Sequence, residues 1–123
     1  MITKEITICR TVVNLAYCYA TEIAYKDLAG EDMYDYVLHA VECIHQQRDP
    51  DVKRTIYAIL AAMMAYYSAN GKDAPLKDAD LMRNANPAEI GIAIFTIINL
   101  RQQFYKSSAE ADENEKEDAE KKD

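Results

Sequence analysis

The chain opens on a period of two. Ile2, Ile6 and Ile8 alternate with Thr3, Glu5 and Thr7, which predicts a strand with one buried face. Lys4 interrupts the apolar set and marks an edge. Beyond Cys9-Arg10-Thr11 the alternation resumes at Val13, Leu15, Tyr17 and Tyr19, so a hairpin is expected from Ile2 to about Tyr19. Val12, Leu15, Ala16, Tyr19 and Ile23 also fit a helical spacing, and residues 12 to 19 read as strand or as helix. The β-branched and aromatic residues favour strand for the first part. The turn lacks the Asn-Gly or Gly-rich pair that usually closes a hairpin.

From Ala20 to Ala29 the composition is helical, and Gly30 is placed to end that helix in a left-handed cap. Asp32 can cap a second helix, Met33 to about Gln47, with Tyr36, Val37, Ala40, Val41 and Ile44 as its buried stripe. Asp49-Pro50 reads as a stop followed by a start, with Pro50 in the first turn of a third helix. That helix runs to about Ala69, is expected to turn Val52, Ile56, Ile59, Leu60, Met63, Met64 and Tyr67 inward, and ends at Asn70-Gly71. A loop over 71 to 75 leads to a short helix from Leu76 to Ala85.

The strongest start signal and the greatest density of large apolar residues lie between Asn86 and Tyr105. Asn86 is a good N-cap, Pro87 suits the first helical position, and Glu89 can reach back to a free backbone N–H. Ile90, Ile94, Ile97, Ile98 and Phe104 fall near one face, while Ile92 and Phe95 spill onto another. A helix apolar over so much of its girth needs cover from several sides, from its own domain or from other chains. The remainder is expected to organise around it: a mainly α (α+β) fold, with a small N-terminal β-hairpin, four to five helices and one domain over residues 1–106.

Charge separates the end of the chain from the rest. Residues 107 to 123 hold eight acids and three lysines, so they carry five of the seven net negative charges and leave residues 1–106 with two. This acidic tail is expected to be disordered or a frayed extension of the last helix, and to aid solubility. A nearly neutral body with an acidic tail argues against nucleic acid as ligand and against anionic membrane surfaces. Three cysteines, Cys9, Cys18 and Cys43, make an odd set without a CxxC pair, which points to a reducing compartment. The longest apolar run, Ile56 to Tyr67, is 12 residues, below the roughly 18 expected of a membrane span. Met1 to Glu5 has no basic region leading into an apolar core. A cytoplasmic protein is expected.

Candidate chemistry is sparse. Glu42 and His45 have the Glu-x-x-His spacing of di-iron bundles, but there is one copy, and Glu22 and Glu89 are the only plausible extra carboxylates on helices. Cys43 lies one turn after His39, without a third residue to orient a base. The three glycines, Gly30, Gly71 and Gly91, are isolated, so no phosphate-binding loop is present. No catalytic residue, metal site or cofactor is expected. The nine tyrosines divide between core boundary and protein interface.

The order of a short hairpin, a helix ending near Leu28-Ala29-Gly30-Glu31-Asp32, further helices and an acidic tail resembles the tail assembly chaperones of long-tailed bacteriophages and prophages. The residues that carry the resemblance are Glu5-Ile6-Thr7-Ile8, Val13 to Tyr19, Thr21 to Asp32, and Asn86-Pro87-Ala88-Glu89-Ile90 after Asp78-Ala79-Asp80-Leu81-Met82. Family members often have a glycine in the hairpin turn, where this chain has Cys9-Arg10-Thr11. The resemblance implies a non-enzymatic cytoplasmic protein that coats a tape measure protein, a long coiled client, and keeps it soluble before the tail tube forms. Self-association is expected, with Tyr17, Tyr19, Ile92 and Phe95 at the contact surface. A homo-oligomeric helical adaptor unrelated to tail assembly is the alternative.

Overall fold

The computed structural model describes residues 1–107 in full. The expected disordered tail, residues 107 to 123, lies outside them from residue 108 onward. The element order is β1 (Ile2–Ile8), β2 (Thr11–Tyr17), α1 (Tyr19–Ala29), α2 (Met33–His45), α3 (Val52–Ala69), α4 (Asp78–Asn84) and α5 (Pro87–Lys121). The mainly α architecture behind an N-terminal hairpin is therefore present, with residues 11 to 17 as strand and helix from Tyr19.

β1 and β2 pair antiparallel, from Ile2 opposite Tyr17 to Ile8 opposite Thr11. Ile6, Ile8, Val13, Leu15 and Tyr17 are buried, and Lys4, in the same alternation, stays exposed. The two-residue turn is made by Cys9 and Arg10 at φ 52° and 58°. Left-handed backbone at both central positions matches the twist of a tight hairpin, but each non-glycine residue there costs about 1–2 kcal/mol. Tertiary contacts from α4 and α5, described below, hold this turn in the absence of Asn-Gly.

β2's outer edge is covered by side chains rather than by a third strand. The Asn14 N–H donates to the Tyr67 hydroxyl oxygen at 3.1 Å, and the Thr21 hydroxyl donates to the Ala16 carbonyl at 2.9 Å. Buried backbone polar groups need such partners.

The centre of the molecule is α3, not α5 as the apolar density suggested. α3 packs against β2, α1, α2, α4 and α5. Ala58, Ala61, Ala62 and Ala65 are buried beside Ile56, Ile59 and Met63, and their small side chains let neighbouring elements approach closely on several sides. α5 is instead covered on one side, burying Ala93, Ile94, Ile97, Ile98 and Leu100.

Caps set the boundaries. Gly30 takes φ 75° and closes α1 with its N–H on the Lys26 carbonyl. α3 begins at Val52, two residues beyond Pro50, because Asp51 is its N-cap and accepts from the Arg54 N–H at 2.9 Å. α5 begins as expected, with Asn86 and Glu89 bonded reciprocally at 2.9 and 3.0 Å.

Candidate functional site, a groove between α2 and α5

α2 and α5 run antiparallel with little direct contact. Tyr34, at the start of α2, lies with its ring 5.5 Å from the Arg101 guanidinium, while Ile44, near its end, shares a groove with Pro87 and Ile90. Apolar side chains recur along α2 at Val37, Leu38, Val41 and Ile44, and none of these four is fully buried. Leu38 is 50% exposed.

Between the end of α2 and the start of α5 the gap opens into a groove of about 390 Å³. Ile44 forms one wall, Ile90, Ile94 and Phe95 the other, and Val52 and Thr55 of α3 complete the lining. The lining is mostly apolar, with Arg48, Asp49, Thr55 and Asn86 as its polar members. Such a trough between two helices has the shape that accepts the apolar face of an amphipathic helix.

The opposite end of the helix pair is polar. The Arg101 guanidinium lies over the rings of Tyr34 and Tyr105, at 5.5 and 4.8 Å. Its Nε is 3.8 Å from Glu22 Oε2 and buried without a hydrogen-bond partner. Glu22 meanwhile accepts from the Tyr17 and Tyr105 hydroxyls, each at 2.8 Å. These bonds and burial raise the pKa of both phenols, burial being the larger cause.

The pKa values of Tyr17, Tyr25, Tyr36, Tyr105, Cys9 and Arg54 are all displaced upward, away from neutrality. For Cys9 the causes are burial and then the nearby Glu89 and Asp80 carboxylates, which suppress the reactive thiolate. Glu42 and His45 are exposed at the end of α2, and Glu42 accepts from the Gln46 side chain. Among the described residues, no three His, Cys, Asp or Glu side chains are grouped to hold a metal ion. Cys43 is buried with its Sγ 3.8 Å from the His39 ring nitrogens. His39 Nε2 itself accepts the Asp51 N–H at 2.9 Å, so this imidazole ties α2 to the start of α3.

The four residues expected at a contact surface are not brought together. Tyr17 is fully buried and belongs to the core, because its place in β2 faces inward and its hydroxyl is spent on Glu22. Tyr19 is 64% exposed beside Phe104, with ring centroids 5.2 Å apart. Ile92 and Phe95 are 56% and 54% exposed near the other end of α5, and Phe95 lines the groove. Sequence reasoning placed Val37, Val41 and Ile44 on a core stripe, and all three do pack against the core; what it missed is that Ile44 also lines the groove.

Among the described residues, no helix is long and apolar enough to cross a membrane. No protein-family model matches the chain, and no curated protein or solved structure matches it either.

Proposed function

We propose that this protein is a non-enzymatic tail assembly chaperone, which seats an amphipathic helix of a tape measure protein in the α2–α5 groove and keeps that coiled client soluble in the host bacterial cytoplasm during tail morphogenesis. The observation that carries the binding reading is the apolar groove itself, walled by Ile44 and by Ile90, Ile94 and Phe95, with no element of the described chain to fill it. A helical client presents apolar side chains every three or four residues, and the groove offers them a matching trough. The tail-assembly reading rests on the order of hairpin, helices and acidic end that the chain shares with those chaperones. The acidic residues after Ser107 support solubility for a protein that handles exposed apolar surface.

Co-expression with the long coiled protein encoded nearest downstream tests the reading. The client is expected in the soluble fraction with this chain, and to aggregate alone or beside an Ile44→Glu, Ile90→Glu variant. A client whose solubility is indifferent to this chain overturns the tail-assembly reading. If the groove variant instead loses a different helical protein, the adaptor reading takes its place.

A further inference from the structure

β1 has an open edge. In an antiparallel pair, facing residues alternate between those bonded to each other and those whose N–H and C=O point away. On β2, Asn14 and Ala16 point away, and Tyr67 and Thr21 meet them. Glu5 and Thr3 stand opposite these two, and Thr7 stands opposite Val12, so the outward residues of β1 are Thr3, Glu5 and Thr7. All three are exposed, and among the described residues no turn, cap or side chain takes their backbone N–H and C=O groups. The edge stops at Cys9, whose N–H is held by Glu89.

A ledge runs beside that edge. α5 packs against β1, and the two run in opposite directions: Cys9 is bonded to Glu89, while Thr3 and Lys4 border a cavity of about 210 Å³ with Thr96, Asn99, Leu100 and Gln103. Ile92, Thr96, Asn99 and Gln103 follow one another at spacings of four, three and four, so they make one flank of α5. Thr3 to Thr7 runs about 13 Å and Ile92 to Gln103 about 17 Å, so edge and flank match in length. The groove between α2 and α5 uses a different flank, with Ile90, Gly91 and Ile94.

We propose that β1 accepts an extended segment of another protein as a third, antiparallel strand lying over this flank, and that the segment carries an apolar, a basic and an acidic residue in succession. The added strand gives the outward N–H and C=O groups of Thr3, Glu5 and Thr7 their partners. Alternation and charge then set its side chains. Lys4 shares the alternation of Ile6 and Ile8 but stays exposed, bordering the cavity with Thr96, Asn99 and Gln103. The residue facing Lys4 therefore meets an ammonium and three uncharged polar side chains, which suits an acid. The residue facing Ile6 falls on the same side, toward the exposed Ile92, and is apolar. The residue between them faces Glu5 on the solvent side and is basic. Neither Lys4 nor Glu5 forms an ion pair with a described residue, so both charges are open to such a strand. A second copy of β1 does not fit. Either antiparallel register that uses Thr3, Glu5 and Thr7 together sets Glu5 on Glu5 or Lys4 on Lys4, and like charges directly opposite are destabilising.

An NMR titration of the full chain with the peptide Ser-Thr-Val-Arg-Glu-Thr-Ser, blocked at both ends, tests this. Saturation is expected to slow amide exchange at Thr3, Glu5 and Thr7 at least ten-fold. Exchanging the peptide's Arg and Glu weakens binding at least ten-fold, and so does methylating the Arg backbone nitrogen, whose N–H faces Glu5. Lys4→Glu with Glu5→Lys, confirmed as folded by circular dichroism, reverses the preference between the two peptides. No binding up to about 1 mM peptide, binding that leaves exchange at the three amides unchanged, or equal affinity for the two peptides overturns the proposal.

Discussion

The Cys9 N–H donates to Oε2 of Glu89 at 3.0 Å, across 80 residues of sequence. The other oxygen of the same carboxylate accepts the Asn86 N–H at 3.0 Å. One side chain therefore both caps α5 and holds the left-handed turn of the hairpin, and the Cys9 thiol reaches the Asp80 carbonyl of α4 at 3.6 Å. The start of α5, which forms the groove wall, is fixed to the hairpin through Glu89.

Glu89→Ala removes both acceptors and is expected to cost about 2–3 kcal/mol. Glu89→Gln keeps one carbonyl oxygen and loses less. Urea unfolding midpoints rank the variants; equal midpoints for wild type and Glu89→Ala would show that the bridge contributes nothing.

Arg10→Gly is expected to stabilise the protein by about 1 kcal/mol, because Arg10 sits at φ 58° and glycine takes that conformation without the Cβ penalty. The melting temperature rises by about 4–8 °C for a domain of this size. A fall in melting temperature would mean that the arginine side chain contributes more than its backbone strain costs.

Tyr67→Phe deletes the acceptor for the Asn14 N–H. The expected loss is about 1 kcal/mol, together with faster amide exchange at Asn14. Unchanged exchange there would exclude the hydroxyl as the cover of that edge.

Burial pushes the Tyr36 phenol from 10.0 up to about 12, and Tyr17 and Tyr25 are raised further for the same first reason. These groups stay protonated in the folded chain while the unfolded chain ionises near pH 10. Their stabilising contribution is complete below pH 10 and is lost as pH rises through the folded values. For Tyr36 alone about 3 kcal/mol disappears between roughly pH 10 and 12. Tyrosinate absorbance at 295 nm is expected to rise for these three only together with loss of helical circular dichroism. Ionisation of all nine tyrosines while the helices persist contradicts the buried assignment.

The local signals that worked were those settled within a few residues. Asn86, Pro87 and Glu89 marked the start of α5 through a cap that involves no distant partner. Gly30 did the same for the end of α1. The period-two isoleucines placed β1, although nothing near Cys9 and Arg10 in sequence shows that Glu89 would support their turn. Centrality was misread because large apolar residues draw the eye to α5, whereas the alanines of α3 allow close packing on several sides. Of the site, the exposed side of α5 at Ile92 and Phe95 was legible from their spilling off the main apolar face. The opposing wall was not, because Ile44 shares with Val37 and Val41 the spacing of any core-facing stripe, and nothing in that spacing shows that its last member also borders a groove.

Hydrogen exchange on the complex with the coiled client is the measurement that tests the central claim most directly. Protection is expected along α2 from Val37 to Ile44 and along the first turns of α5 from Pro87 to Phe95. Amide exchange in these two stretches that is the same with and without bound client contradicts the groove as the seat of binding.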